Sequence, residues 1–224
     1  MLDVLYEDNH LLVVNKPAML PTMGVADDQP SLLTVAKEYV RQKYNKPGNV
    51  YLGIVSRLDA PVTGVVLLAR TSKAAGRLSE QFRERDVEKL YWAVVESPVE
   101  PGEGRLVDFL RKDERHRKMH VTSANTPDAQ RAELTYRVLK SEATHSMLEV
   151  QLLTGRKHQI RLQLSHAGLP ILGDRKYGST RQFATGIALH SRRLVVDHPV
   201  SKIKLEFEAP LPASWQRYMR AGQC

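Results

Sequence analysis

The segment from Val55 to Gly64 (VSRLDAPVTG) carries the side chains best suited to chemistry in this chain. Asp59 follows Arg57 by two residues, and a proline and a glycine then interrupt regular structure before an apolar run. A tight loop between two strands can aim a carboxylate into a cleft, where such a group acts as a base or a nucleophile. On this segment alone, a turn aspartate that bonds its own backbone is the more frequent arrangement.

The elements that must position this loop are strands for the most part. We predict strands over residues 2–6, 10–15, 50–55, 64–70, 88–96, 132–139, 146–153, 187–196 and 202–207. Helices are predicted from an N-cap at Ser31 to 44, from an N-cap at Ser72 to 85, over 157–167, and as a terminal turn over 215–219. Because most strands follow one another through short turns, we expect an α+β fold. It comprises one domain over residues 1–224, with a largely antiparallel mixed sheet flanked by helices and loops.

The composition is that of a basic globular protein. The 224 residues include 33 Lys and Arg against 25 Asp and Glu, which gives a net charge of +8 and a pI near 9.6. This excess favours a polyanionic partner. Aromatic residues make up only 6% of the chain, so a broad stacking platform for single strands is not indicated.

Cysteine and histidine usage narrows the chemistry further. The only cysteine is Cys224, which excludes an internal disulfide and a cysteine-based zinc site. No HExxH motif is present, and we expect neither a metal nor another cofactor. No apolar run is long enough to span a bilayer, and the N-terminus lacks the plan of a signal peptide. We therefore expect a cytoplasmic protein.

The most basic segment runs from Arg111 to His120 (RKDERHRKMH) and lacks the periodicity of a core element. Two interpretations are equally weighted: a flexible exposed connection, or a surface that contacts phosphates independently of sequence. In the second case the RNA-binding cations are Arg111, Lys112, Arg115, Arg117 and Lys118. Lys16, at the end of the second strand, is expected to be exposed.

Several motifs in a fixed order resemble the RluA family of pseudouridine synthases. They are RLD with TG at 57–64, KLY at 89–91, TGRKHQIR at 154–161 and GLPILGDRKYG at 168–178, after an opening hairpin that ends in NKP at 15–17. The resemblance covers about residues 2–210. Two positions depart from it, because the family usually has histidine where this chain has Ser56, and Thr-Ser-Gly where it has VTG at 62–64. We expect no additional RNA-binding module before the hairpin.

The resemblance implies an isomerase that converts uridine to pseudouridine without a metal or redox cofactor. It assigns the catalytic carboxylate to Asp59, which either adds to C1′ or removes the C2′ proton. It implies that Arg57 helps hold the RNA with the uridine extruded, that Tyr91 stacks on the base, and that Arg161 is the ionic partner of Asp59. Leu162 packs on the other side of the uracil. Without the resemblance, Arg161 would be interpreted as an exposed helix arginine, Tyr91 as a core or half-buried tyrosine, and Leu162 as an apolar helix residue.

The expected partner is a folded RNA, ribosomal or transfer RNA, and the expected state is a monomer. A non-catalytic RNA-binding or chaperone protein on the same scaffold is the alternative, with Ser56 marking lost activity. A metal-dependent nuclease or hydrolase ranks last, since it would need clustered carboxylates that the sequence does not show.

Overall fold

The computed structural model describes residues 2–24, 26, 29–114 and 118–219. Its strands are, in chain order, β1 (Val4–Glu7), β2 (Leu11–Lys16), β3 (Gly53–Ile54), β4 (Thr63–Ala69), β5 (Glu88–Val95), β6 (Glu103–Asp113), β7 (Lys118–Thr122), β8 (Gln130–Glu142), β9 (His145–Leu152), β10 (Leu189–Asp197) and β11 (Lys204–Glu208). Its helices are α1 (Leu32–Lys43), α2 (Ser72–Glu84), α3 (Gln159–His166) and α4 (Gln216–Met219), with two short 3₁₀ turns at Arg175–Tyr177 and Ala213–Trp215.

The chain divides into two compact units. Unit 1 comprises Met1–Glu88 and Ser191–Leu211, and unit 2 comprises Lys89–His190 and Pro212–Cys224. In unit 1, β1, β2 and β4 pair antiparallel in that order, β3 pairs with β4, and β11 pairs with β10. In unit 2, β5, β9, β8, β6 and β7 form an antiparallel series in that order. The predicted α+β class with a largely antiparallel sheet is confirmed, while a single domain over residues 1–224 stays a prediction.

The sheet of unit 1 is covered by apolar packing on both faces. Alternate residues of β2 and β4 point to opposite faces, and each set joins its own cluster. One cluster contains Ala74 and Leu78 of α2, and the other contains Leu32, Ala36 and Val40 of α1. All seven residues of β4 are buried, as expected for a strand covered on two sides. The loop that precedes β4 therefore has a rigid base.

Gly64, the second residue of β4, is required by the close approach of another backbone. Its φ is +111°, and a Cβ built on it would lie 2.2 Å from the carbonyl oxygen of Ser191. Only glycine combines that dihedral with that contact. The glycine that interrupts the motif is therefore explained by packing within unit 1.

The sequence prediction is wrong in several details of the elements. The cap of α2 is Thr71 instead of Ser72, since the Thr71 side chain accepts a hydrogen bond from the backbone of Ala74. The strand predicted over 50–55 is only the two residues of β3. The segment from Arg111 to His120 is not a flexible connection where it is described, because it forms the end of β6 and the start of β7. The cap at Ser31 is confirmed and includes a reciprocal bond with Thr34.

Candidate active site

The loop that carries Asp59 has no regular structure between β3 and β4, as the sequence predicts. Asp59 is half-buried and Arg57 is exposed. The backbone N–H of Val62 donates to the Asp59 carbonyl at 3.0 Å, which closes a turn directly after the carboxylate. This hydrogen bond joins backbone atoms only, so it fixes the backbone of Asp59 without engaging the Asp59 carboxylate.

Ser56, the position where the family usually has histidine, supports this loop through the backbone of β4. The N–H of Leu67 donates to the Ser56 hydroxyl oxygen at 2.9 Å, and the Ser56 N–H donates to the Leu67 carbonyl at 3.4 Å. The serine side chain thus completes a pair of bonds that fixes the start of the loop against a buried strand. This local role needs a small hydroxyl acceptor and no imidazole.

Thr22 holds the middle of the same loop. Its hydroxyl donates to the Leu58 carbonyl at 2.8 Å and accepts from the Leu58 N–H at 3.1 Å. Thr22 is itself buried, so both backbone groups of the residue before Asp59 are satisfied by one side chain. Thr22 thereby joins the segment after β2 to the loop that carries Asp59.

Lys16 joins the two segments at a second point, and the expectation that it is exposed is wrong. The side chain is 0% exposed, and its ammonium donates to the carbonyls of Pro17, Leu20 and Ala60 at 2.8, 2.7 and 3.1 Å. Burial lowers the pKa of Lys16 from 10.5 to about 8, although the negative charge of Asp59 opposes that shift. The lysine therefore lies close enough to Asp59 for their charges to interact.

Tyr91 lies on β5, as the sequence predicts, and is half-buried. It pairs with Val150 of β9, and along the strand it shares a face with Ala93 and Val95. A strand interior gives an aromatic ring a fixed direction, which suits a stacking role as well as a packing role.

Arg161 lies in the first turn of α3 and is held by a carboxylate of unit 2. Its Nε and Nη2 donate to the two oxygens of Asp174 at 2.7 and 2.8 Å. The two side chains are 6% and 1% exposed, so this is a buried bidentate ion pair. The expected pairing of Arg161 with Asp59 stays a prediction.

The ring of Tyr177 lies against the same guanidinium. The Arg161 guanidinium carbon lies 5.1 Å from the centre of the Tyr177 ring. The Tyr177 hydroxyl accepts from the Met119 N–H at 3.2 Å and lies 2.7 Å from Nδ1 of His158. Leu162 packs into the adjoining apolar cluster with Tyr177 and is nearly fully buried. Its predicted contact with the uracil is not tested by this packing.

The basic segment presents exposed cations on the β6–β7 hairpin. Arg111 and Lys112 are exposed at the end of β6, and Lys112 pairs with Glu114 at 2.6 Å. Lys118 is exposed at the start of β7, with its ammonium 5.0 Å from the centre of the Tyr177 ring. The two remaining predicted cations, Arg115 and Arg117, lie outside the described residues.

Sequence reasoning missed four residues that hold the candidate residues or their loop within each unit, namely Lys16 and Thr22 in unit 1 and Asp174 and Tyr177 in unit 2. One signal was available for Lys16, since the unbroken apolar run of β2 is typical of a strand buried on both faces. Asp174 and Tyr177 stand in the motif at 168–178, but their partners in α3 are tertiary contacts that spacing does not reveal.

Neither a metal-binding cluster nor a membrane-spanning helix is present among the residues that the structure describes. These residues contain no group of three or more His, Cys, Asp or Glu arranged to hold a metal ion. None of the helices among them is long and apolar enough to cross a membrane.

Comparison with known proteins places the chain among RNA-modifying enzymes. The family described as RNA pseudouridylate synthase matches residues 10–166. Ribosomal large subunit pseudouridine synthase D of Pseudomonas aeruginosa is 35% identical over 94% of this chain and 68% of its own length. The uncharacterized RNA pseudouridine synthase YhcT of Bacillus subtilis is 31% identical over 98% of this chain and 72% of its own.

A solved structure has the same fold along most of its length. Human RNA pseudouridylate synthase domain containing 4 superposes with a TM-score of 0.76 at 29% identity, covering 96% of this chain and 92% of that one. The sequence matches and this structural match agree with the motifs and their order. The chain belongs to the RluA-type family of RNA pseudouridine synthases, which are isomerases acting on RNA.

Proposed function

We propose that this protein isomerises specific uridines in a structured RNA and that Asp59 is the catalytic carboxylate. One observation carries the assignment: the loop of Asp59 is fastened on both sides of the carboxylate, by Thr22 at Leu58 and by Lys16 at Ala60. A catalytic group must be held near its reactive geometry by its surroundings. A turn aspartate with no other role would not need a buried lysine to hold its neighbour.

The reaction exchanges one bond of the nucleotide for another. The bond from N1 to C1′ breaks, the base turns, and C5 bonds to C1′ while the C5 hydrogen leaves as a proton and N1 gains one. Asp59 promotes the first step either by adding to C1′ or by removing the C2′ proton. Both routes leave the same product, so they are alternatives within one proposal.

The remaining predicted residues contact the extruded nucleotide. Tyr91 stacks on the uracil, and a stacked base contributes roughly 1–3 kcal/mol, comparable with the few kcal/mol needed to unstack it. Leu162 packs on the other side of the base, Arg161 supplies a cation at the reacting site, and Arg57 holds the RNA around the gap. The burial of Arg161 with Asp174 supports this role, because that pair fixes the direction of the guanidinium.

Large-subunit ribosomal RNA is the first substrate to test, because several relatives are named for it, and transfer RNA is the second. We propose that the protein acts on them as a monomer in the cytoplasm. Mapping pseudouridines in total RNA with and without the protein identifies the substrate, and sedimentation measures the oligomeric state.

The assay for the reaction is tritium release from RNA labelled at uridine C5. Wild type is expected to release tritium, and Asp59→Asn is expected to release none above background while keeping the wild-type melting temperature. Asp86→Asn, an exposed aspartate that follows α2 in the same unit, is the matched control and should keep full activity. Equal release from the wild type and Asp59→Asn would remove Asp59 from the chemistry.

The hairpin cations are proposed to bind phosphates. Neutralising Arg111, Lys112 and Lys118 together should reduce the magnitude of the negative slope of log K against log salt by about 2–3, since each phosphate contact contributes ~0.7–0.9. The control variant neutralises Lys46, Lys73 and Arg83, three exposed cations of unit 1. An equal change in both variants would assign the effect to net charge and not to the hairpin.

A further inference from the structure

Met19 is a large apolar side chain that the fold leaves in solvent. It lies between β2 and α1 and is 64% exposed, so it buries little apolar surface. Its neighbour Leu20 packs against the cluster under α1. The methionine therefore has no packing role that would explain an apolar residue at this position.

The backbone of Met19 is also unfavourable for a methionine. It is the third residue of the turn formed by residues 17–20, and its φ is +64°. A side chain with a Cβ is strained in this left-handed region, where turns favour glycine or asparagine. Non-glycine residues in such conformations persist when the surroundings fix them, and they cluster at functional sites.

The surroundings of Met19 do fix it, and they connect it to Asp59. The ammonium of Lys16 binds the carbonyls of Pro17 and Leu20, on either side of the methionine, and also the carbonyl of Ala60, directly after Asp59. The two loops thus share one buried donor. Met19 therefore lies on a turn that Lys16 holds in place, next to the loop of the proposed catalytic carboxylate.

We propose that Met19 contacts the RNA by packing against a nucleobase next to the uridine on which Asp59 acts. This inference rests on the proposed function of Asp59. A thioether offers nothing to a phosphate, but an unbranched apolar side chain adapts to the face of a base. Extruding a nucleotide exposes such faces, and proteins that distort nucleic acids place apolar wedges, methionine among them, at the disturbed step.

The test exploits the strained backbone, because the fold and the contact make opposite demands on this residue. Met19→Gly removes the strain, so its melting temperature is expected to equal or exceed that of the wild type. Its kcat/KM for tritium release is expected to fall fivefold or more, the smallest effect that one base contact gives. Met19→Leu, which keeps an apolar side chain, should restore kcat/KM to within twofold of the wild type.

Two control variants test the backbone change and the loss of an apolar side chain separately. Asn45→Gly makes the same backbone change at another exposed left-handed residue of unit 1 (φ +47°), and Ile203→Ala shortens another exposed apolar side chain (59% exposed). Both should keep wild-type kcat/KM.

A Met19→Gly variant with wild-type kcat/KM would overturn the proposal. So would a change confined to oligomeric state in sedimentation, which would assign Met19 to a protein contact. Failure of the proposed function has a different signature, namely that wild type and Asp59→Asn release equal tritium.

Discussion

Unit 1 and unit 2 each bury one cation, Lys16 and Arg161 respectively, and they stabilise it by different means. Lys16 of unit 1 donates to three backbone carbonyls contributed by two loops. Arg161 of unit 2 donates twice to a single carboxylate, that of Asp174. Both residues are at most 5% exposed. The difference lies in whether the partner is backbone or a charged side chain.

The two kinds of partner have different consequences, one for the path of the backbone and the other for the balance of charge. Carbonyl oxygens carry only partial charge, so the cost of burying the Lys16 ammonium is not fully offset and its pKa falls to about 8. In return, the lysine fixes the path of both loops around Asp59. The carboxylate of Asp174 balances a full charge and fixes the plane of the guanidinium, but it constrains little backbone. Unit 1 thus shapes a loop, while unit 2 orients a side chain.

The largest effect is expected from removing the carboxylate of unit 2. Asp174→Ala leaves the Arg161 charge buried without its bidentate partner, so the free energy of unfolding should fall by ~3–5 kcal/mol. Urea denaturation followed by circular dichroism measures the loss. If the variant does not fold, the double variant Arg161→Met with Asp174→Leu should recover the fold, because an apolar pair needs no charge balance.

A loss below ~1 kcal/mol for Asp174→Ala would contradict the distinction between the two cations. It would mean that Arg161 is stabilised by other groups of unit 2 and that Asp174 is not its main partner. Glu38→Ala, which breaks an exposed pair with Arg41 on α1, gives the scale of a surface ion pair, at ~0.3–0.5 kcal/mol.

The second prediction concerns pH and the cation of unit 1. Between pH 8 and pH 10.5 the unfolded chain binds a proton at Lys16 that the folded chain has lost. Stability contributed by this group therefore rises with pH across that window, by about 1.4 kcal/mol per pH unit. Below pH 8 the penalty for burying the charge is present in full, and above pH 10.5 it is absent.

Other groups titrate in the same range, so the measurement compares wild type with Lys16→Met. The difference in free energy of unfolding, wild type minus variant, should increase from pH 8 to pH 10.5. For Lys73→Met, an exposed lysine of α2, the same difference should stay flat. A flat difference for Lys16→Met would show that the carbonyls compensate the buried charge fully.

Local sequence patterns predicted most of the helices and strands and the loop that carries Asp59. The helices α1 and α2, the strand of Tyr91 and the irregular loop of Asp59 follow from periodicity, caps and breakers. The strand β6 was missed because glycines at its start and a charged run at its end conceal the alternation of a half-exposed strand. Its identity depends on pairing with β8, a contact between distant parts of the chain.

The residues that fasten the site could not be predicted in the same way. The apolar run of β2 is a signal of burial, but a lysine at the end of a strand is usually exposed, and only the arrangement of two loops around Lys16 makes its burial possible. Likewise, Arg161 and Asp174 are 13 positions apart, with a turn between them, so neither helical nor strand spacing joins them. These partners depend on tertiary structure, which no local pattern contains.

The smallest effect is expected at Thr22, the second fastening of the Asp59 loop. Thr22→Val keeps the shape of the side chain but removes both bonds to Leu58. The free energy of unfolding should fall by only ~1 kcal/mol, because the N–H and carbonyl of Leu58 can form hydrogen bonds with water instead. The kcat for tritium release should fall more than this loss of stability explains, since the backbone before Asp59 is released.

Thr22→Ser keeps the hydroxyl and should restore kcat. If Thr22→Val and Thr22→Ser have equal kcat, the backbone bonds of unit 1 do not position the carboxylate.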